Sequence, residues 1–537
     1  MELVLLRIKN RMHSKSLTVH VHGVDKNNRW WTDGVPFIQQ CPIAPNTDYT
    51  YRFIADTPGT HWYHGHLMED SGEGLVGGFV DLSTEDPSQL YLDRLHWRRK
   101  WIGHSLDNEE ELPNGNGCEK VERTFDGTLS REVPVSAIII GNKGWYNQTD
   151  IINRPSKLPL TTFGIEIGVF VWIEDHDFWI VAADGSYIKP IKVDSLLMFS
   201  VDWSHKYCTK ERKCLVFNCP FKQFPPWINM NCFYADKLEK ENKIKNKENL
   251  EEEKEEIKNK TKNNLKEEIK KEINEEKELA LFLKKENSIK EIFVNLHDGL
   301  NGWRFLEPNG IPYFKKTETV KEKICDEKKC DRWANDALYN NNCQCFINYK
   351  FKLGEIVQII AVSAGGMPHP FHIHGHKFVV LRMGFAEQYF ENGTLKGLNQ
   401  HLECIGKTKR CAEIKWANKS WEEGEIPELN MNPILRDTVV VPAKGFVVLR
   451  FRAKNPGWWF AHCHLLMHSM DGMNFAFRVG NEKEIPSPPK GFPHQCGIYE
   501  ELPIDKDNEL LKDLNEEDKK NEQNKNHCNN GIGDPLF

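Results

Sequence analysis

At 537 residues the chain has room for about three domains of ~150 residues. Seventy-eight acidic against 71 basic residues leave a net charge of −7, which gives no electrostatic case for a nucleic-acid partner. Hydrophobic residues at 39% can fill ordinary cores, yet no stretch approaches the roughly 20 apolar residues that span a bilayer, so no transmembrane segment is expected.

The chain opens on Met1-Glu2-Leu3-Val4-Leu5-Leu6, broken at once by Arg7 and Lys9, which is not a signal-peptide pattern. Residues 3–10 read instead as a strand running into a histidine pair. Residues 17–21 and 49–53 alternate at period two with Gly and Pro between them, making 1–85 a strand-rich first domain. Residues 86–130 are polar and carry Gly and Asn, as a linker does. A second strand-rich domain fills 131–236, with apolar runs at 135–140, 165–172, 178–183 and 195–201. Residues 237–291 are dominated by Lys, Glu, Asn and Ile. They read as a solvated helix or a disordered insertion in a loop, with translated non-coding sequence a further option. Apolar positions there are too sparse for sustained coiled-coil heptads. Strand chemistry returns across 292–498, at 354–360, 378–383, 438–442 and 446–451, before a polar tail at 499–537. The expected class is all-β, built from sandwiches or Greek-key barrels.

Fifteen cysteines suit disulfides in an oxidising, extracellular setting, and four Asn-x-Ser/Thr sequons agree, at Asn147, Asn259, Asn392 and Asn418. The missing signal peptide conflicts with secretion, so the expectation is a chain lacking its true N-terminus. One cysteine stands apart. Cys463 lies between His462 and His464, with His468 five residues on and Met473 five beyond that.

Twelve of the 21 histidines fall in four short segments: His20-Val21-His22, His61 to His66, His369 to His376 and His462 to His468. Alternate side chains of a strand share a face, so His-x-His sets two imidazoles side by side. The pairs His20/His22, His64/His66, His372/His374 and His462/His464 offer eight nitrogens, too many for one ion and well suited to three. Imidazole alone does not name the metal, since Zn, Cu, Fe and Ni all accept it. Cys463, His468 and an axial Met473, completed by His369, make a His₂Cys site of the blue-copper type. One strand would then touch both sites, and an electron entering at Cys463 would reach His462 and His464 through bonds. Dioxygen, which needs four electrons to become water, is the obvious acceptor.

These segments resemble the multicopper oxidases, specifically the laccase-type oxidases of animals. The resemblance rests on His20-Val21-His22-Gly23 with Asp33-Gly34 and Gln40-Cys41-Pro42-Ile43, on Gly59 to His66, on His369 to His376 and on His462 to Met473. Cys214-Leu215-Val216-Phe217-Asn218-Cys219-Pro220-Phe221 and Asp298-Gly299-x-x-Gly302-Trp303-Arg304-Phe305 are similar to the animal branch. The similarity covers about residues 2–236 and 292–498. It implies three cupredoxin-like Greek-key β-sandwich domains, the first truncated at its N-terminus, and four coppers per chain. By that resemblance His369, Cys463 and His468 hold a type 1 copper with Met473 axial, and His20 with His372 a type 2 copper. His22, His64 and His464 hold one type 3 copper; His66, His374 and His462 hold the other. Asp33 sits where the family keeps an acid, either a proton donor to reduced oxygen or a turn residue before Gly34. His61 and His376 match no ligand position and are expected as supporting or packed side chains. The chain departs from the family in its short start, in Asp70 and Glu73-Gly74 after His66, and in the charged insertion.

The expected function is a laccase-like oxidation of phenolic or diphenolic donors, with His462, Cys463, His464 and Asp33 as the working residues. A ferroxidase would want carboxylates beside His369 or His468, where Asp471 is the nearest in sequence. An inactive copper binder or truncated product is the alternative from another class. A zinc hydrolase would leave Cys463, His468 and Met473 without a role.

Overall fold

The computed structural model describes residues 2–57, 59–71, 74–81, 178–198, 213–222, 229–240, 289–297, 299–308, 325–332, 343–386, 395–405 and 411–489. It also describes short pieces at 95–97, 120–123, 129–132, 139–140, 160–162 and 169–171, with Cys208, Phe492 and Cys496. The described chain is mostly strand. Its two α-helices, Lys419–Glu422 and Leu466–Met470, are single turns. This is the all-β, cupredoxin-like class that the periodicity and the resemblance anticipated.

The N-terminal unit pairs Glu2–Lys9 antiparallel with Asp48–Ala55, and sets Val19–His22 against Gly59–Gly65 and Val76–Asp81 in a second sheet. Tyr51 and Phe53 alternate inward from the first pair onto Val19 and Val21, which accounts for the period-two pattern. The Tyr51 hydroxyl accepts from the Val19 amide at 3.0 Å and joins the two sheets.

Two five-stranded sheets form the C-terminal sandwich. One runs Lys290–Asn295, Ile356–Val362, Phe446–Arg452, Phe378–Gly384, Leu435–Arg436; the other runs Asn348–Phe351, Asn474–Val479, Gly457–Cys463, His369–Ile373, Thr438–Val441. Ile356–Val362 is buried along its whole length because its two faces enter different cores. Val357, Ile359 and Ala361 face the sandwich interior, while Ile356, Ile360 and Val362 pack under Trp416 and Trp421. A run without polar alternation is what a strand covered on both faces requires.

Short strands lie between these two units. Leu95–Trp97 falls in the stretch expected to be a linker, yet it pairs with Leu160–Thr162 and Ile139–Ile140. Its three residues are too few to stand out in a polar stretch. Lys120–Arg123, also in that stretch, pairs with Leu129–Glu132. The charged insertion lies almost wholly outside the described residues, but its expected edges prove to be structure. Leu238 is fully buried at the start, and Lys290 and Glu291 belong to a strand at the end.

The N-terminal unit docks on the last sandwich. Gln39 Nε2 donates to the Trp458 carbonyl at 2.8 Å, and the Trp30 indole packs where a Gly457 Cβ would stand. Cys41 and Cys496 form a disulfide across 455 residues. Five more disulfides join Cys208–Cys214, Cys219–Cys232, Cys325–Cys345, Cys330–Cys343 and Cys404–Cys411.

Candidate metal centre

Two antiparallel registers create the site. His20 stands opposite His64, and His372 stands opposite His462. Docking of the two units brings these pairs together: the His22 and His372 ring centroids are 3.8 Å apart, and those of His20 and His374 are 4.1 Å apart. His464 lies 5.0 Å from His22 and 5.2 Å from His64, while His66 lies 5.3 Å from His462. Ligand-capable nitrogens of His66, His374 and His462 fall within 4.8 Å of one another, as do those of His20, His22 and His64, and those of His20, His372 and His374.

Six of these rings are held from behind. His20, His64 and His372 donate Nδ1–H to the carbonyls of Asp33, Gly65 and Asp437, each at 2.8 Å, and His462 donates to the Cys463 carbonyl at 3.0 Å. His374 donates to Asp33 Oδ2 at 2.8 Å. His22 is turned the other way, with Nε2 at 3.3 Å from Asp437 Oδ1 and 3.1 Å from Thr438 Oγ1. These bonds fix the tautomers and aim the opposite nitrogens inward.

The inward atoms, His20 Nε2, His22 Nδ1, His64 Nε2, His66 Nε2 and His372 Nε2, are buried without hydrogen-bond partners. His374 Nε2 and His462 Nε2 face each other at 3.2 Å. A buried acceptor left unpaired costs about 1–3 kcal/mol. Five of them aimed at one space form a donor set for cations. Burial, then the neighbouring imidazoles, holds His64, His66, His372, His462 and His464 well below the usual histidine range. Burial likewise lowers His20 to about 3. Neutral rings carry the lone pairs that a metal needs.

A second site lies across the same strand. Cys463 Sγ is 3.5 Å from His369 Nδ1 and 3.7 Å from His468 Nδ1, and those two nitrogens are 3.0 Å apart. Cys463 is fully buried among Phe371, Leu465, Phe475 and Met473. The buried Met473 is tied in through its backbone: its carbonyl accepts from the Cys463 amide at 3.1 Å, and its amide donates to the His468 carbonyl at 3.0 Å. Cys463 lies opposite Phe371, while His462, one residue earlier, lies opposite His372 in the histidine cluster. One strand therefore presents a sulfur to one site and an imidazole to the other.

The comparisons agree with this geometry. Two family models, both described as multicopper oxidase, match residues 1–84 and 313–483. An iron transport multicopper oxidase of Gibberella zeae is 25% identical over 490 residues, covering 88% of this chain and 69% of that protein. An L-ascorbate oxidase of Cucumis sativus is 24% identical over 554 residues, covering 92% of this chain and 85% of that protein. The chain belongs to the multicopper oxidase family. The solved structure of Fet3p, a multicopper oxidase that functions in iron import, matches with a TM-score of 0.52 at 19% identity, covering 91% of this chain and 85% of that one. A laccase variant from B. aclada matches with a TM-score of 0.50 at 16% identity, covering 91% and 82%. Both likenesses show the fold.

Copper is the metal that membership of the multicopper oxidases implies, and a thiolate with clustered neutral imidazoles is a donor set that fits it. Asp33 lies beside the histidine cluster, fully buried. Burial alone would raise its pKa, but the ring N–H groups of His20 and His374 and the Lys26 ammonium outweigh that and hold it well below the usual carboxylate range. His61 and His376 stand outside the donor groups. His61 bonds the Thr57 carbonyl at 2.8 Å, and His376 packs against Phe451, Trp459 and Phe477.

Three site residues escaped the sequence reading. Asp437 braces His22 and is itself held by Lys377 Nζ at 2.5 Å. Lys26, fully buried, sits 3.5 Å from Asp33. Trp62 stacks on His64 at 4.3 Å. Asp437 and Lys26 belong to no repeat or spacing that marks them. Trp62 lay in a quoted motif but carries no metal-binding atom.

Proposed function

We propose that this multicopper oxidase is laccase-like: it takes electrons singly from phenolic or diphenolic donors on the Cys463 side and reduces dioxygen to water at the histidine cluster. The carrying observation is the shared strand, which puts Cys463 in one donor group and His462 in the other. Four coppers would be held. One would be held by His369, Cys463 and His468 with Met473 as a further ligand; three would be held by His20, His22, His64, His66, His372, His374, His462 and His464. Bound copper supplies one-electron redox chemistry. Cys463 and its covalent neighbours supply a through-bond path, and Asp33 and Asp437 hold the rings.

The segments Cys214 to Phe221 and Gly299 to Phe305 support the animal laccase-type reading. The six disulfides support an oxidising, extracellular setting. A second reading takes ferrous iron as donor, and the iron transport relatives favour it. Against it, Asp471 points its carboxylate at Arg304, at 3.6 Å, and no carboxylate joins His369 and His468 in a donor group among the described residues.

Steady-state oxygen uptake with hydroquinone and with ferrous iron separates the readings. A strong preference for iron replaces the laccase reading. Fewer than four coppers per chain, or no intense blue thiolate band, overturns both.

A further inference from the structure

The Gly299 to Phe305 segment has no part in holding metal, yet the fold lays its end over the histidine cluster. Leu306 is pinned there, its amide donating to the Cys345 carbonyl at 2.8 Å, and Phe305 bonds the Gly472 carbonyl at 2.9 Å. A cavity of about 270 Å³ lies against it, lined by His64, His66, His462 and His464 together with Arg304 and Glu307. That space has both polar and apolar lining and is large enough for several waters.

Glu307 is the one carboxylic acid among the described residues lining this cavity. It is half-buried, and burial pushes its carboxyl up to about 7, with no neighbouring charge opposing the shift. The other charged or titratable groups facing the cavity are Arg304, which Asp471 holds, the Cys463 thiol and the four imidazoles. Asp70 and Asp471 lie on the flanking turns. The two acids behind the cluster are already engaged. Asp33 takes His20 on one oxygen and His374 on the other, and Asp437 takes His22 and Lys377. The residues after His464 bring Leu466, Ser469, Met470 and Asn474 to the cavity; none is an acid, and the Ser469 hydroxyl already donates to Asn474 Oδ1 at 3.0 Å.

We propose that Glu307 hands protons to oxygen reduced at the histidine cluster, and that the cavity is the water route through which it is recharged. This rests on the dioxygen-reducing reading above. Reducing one dioxygen to two waters consumes four electrons, delivered one at a time by four donor molecules, and four protons. Each proton leaves a Glu307 Oε–H bond, forms an oxygen–hydrogen bond on the reduced dioxygen, and is replaced from solvent along the cavity. A group ionising near neutral pH is suited to both halves of that cycle.

The test compares the copper-loaded wild type with Glu307→Gln and Glu307→Asp. Glu307→Gln should keep its copper and its blue band, and hydroquinone should reduce it anaerobically at the wild-type rate. Its reoxidation by dioxygen should slow by about 10²-fold or more, and the limb of the pH profile with a midpoint near 7 should vanish. Glu307→Asp should recover part of the rate. In metal-free protein, infrared difference spectra should show a carboxylic acid band that titrates near pH 7 in the wild type and is absent from Glu307→Gln. Wild-type reoxidation rates in Glu307→Gln, or a Glu307 carboxyl that titrates in the ordinary carboxylate range, overturn the assignment while the oxidase reading stands. A wild type that dioxygen does not reoxidise overturns the oxidase reading and this one with it.

Discussion

The Asp33 carboxylate accepts the ring Nδ1–H of His374 at 2.8 Å across 341 residues of chain. Its other oxygen lies 3.1 Å from His20 Nδ1, so one acid orients an imidazole from each of the two units that meet at the cluster. Asp33→Asn keeps the shape but puts an amide where one ring N–H must be accepted. Metal affinity at the cluster should fall about 10- to 100-fold, while the blue band of the Cys463 site persists. Copper retention against a graded chelator measures this. Retention equal to wild type would reduce Asp33 to a turn residue before Gly34.

Cys463→Ser tests the shared strand. Serine is close in size and cannot supply a thiolate, so the blue band should vanish and one copper in four should be lost. Oxygen uptake driven by hydroquinone should fall by about three orders of magnitude or more, because the only through-bond entry to His462 and His464 is gone. Copper counting alongside oxygen uptake reads both. Unchanged oxygen consumption would break the link between the two sites.

The histidine cluster was legible because strand geometry converts His-x-His into paired imidazoles, and four pairs exceed any structural need. The strands at Phe178–Ala183 and Thr438–Val441 were legible from β-branched and aromatic runs. What stayed hidden depends on docking between units. Asp437 reaches His22 only because the last sandwich closes on the first, and nothing in Arg436-Asp437-Thr438 announces it. Glu307 follows a recognisable segment, but its position over His64 and His66 comes from the pairing of Leu306 with Cys345. Cysteine count indicated disulfides without choosing partners, since pairing across 455 residues is set by the folded arrangement.

The Cys41–Cys496 disulfide should matter for metal as well as for stability, because it ties the N-terminal unit to the chain beyond the last sandwich. A crosslink closing so long a loop restricts the unfolded chain, with a typical effect of about 2–5 kcal/mol. Cys41→Ser should lower the melting temperature. It should also speed copper loss from the cluster between the units more than from the Cys463 site, which lies within one sandwich. Calorimetry with site-resolved copper spectra would show this. Equal loss from both sites would argue that docking does not depend on the disulfide.

Acid should destabilise the metal-free protein, and the sign follows from the buried histidines. Burial lowers His20 and His376 to about 3 and His61 and His468 to about 4, against an ordinary 6.5. As pH falls through 6.5 the unfolded chain gains protons on these rings and the folded chain does not. Their contribution is therefore fully present above pH 6.5 and is lost as pH falls toward 4 and 3. Glu307 works the other way. With its carboxyl raised from 4.5 to about 7, the folded state binds the extra proton between those values, and stability falls as pH rises through that window. Asp25, which burial raises to about 6, and Asp236 and Glu291, which burial also raises, act in the same direction as Glu307, but the buried histidines outnumber these acids, so the net slope between pH 4.5 and 6.5 should follow the histidines. Urea midpoints of metal-free protein should drop on acidification below 6.5, and more steeply in Glu307→Gln, where one opposing group is gone. A midpoint that rises on acidification through this window would mean that the rings are not buried as neutral imidazoles.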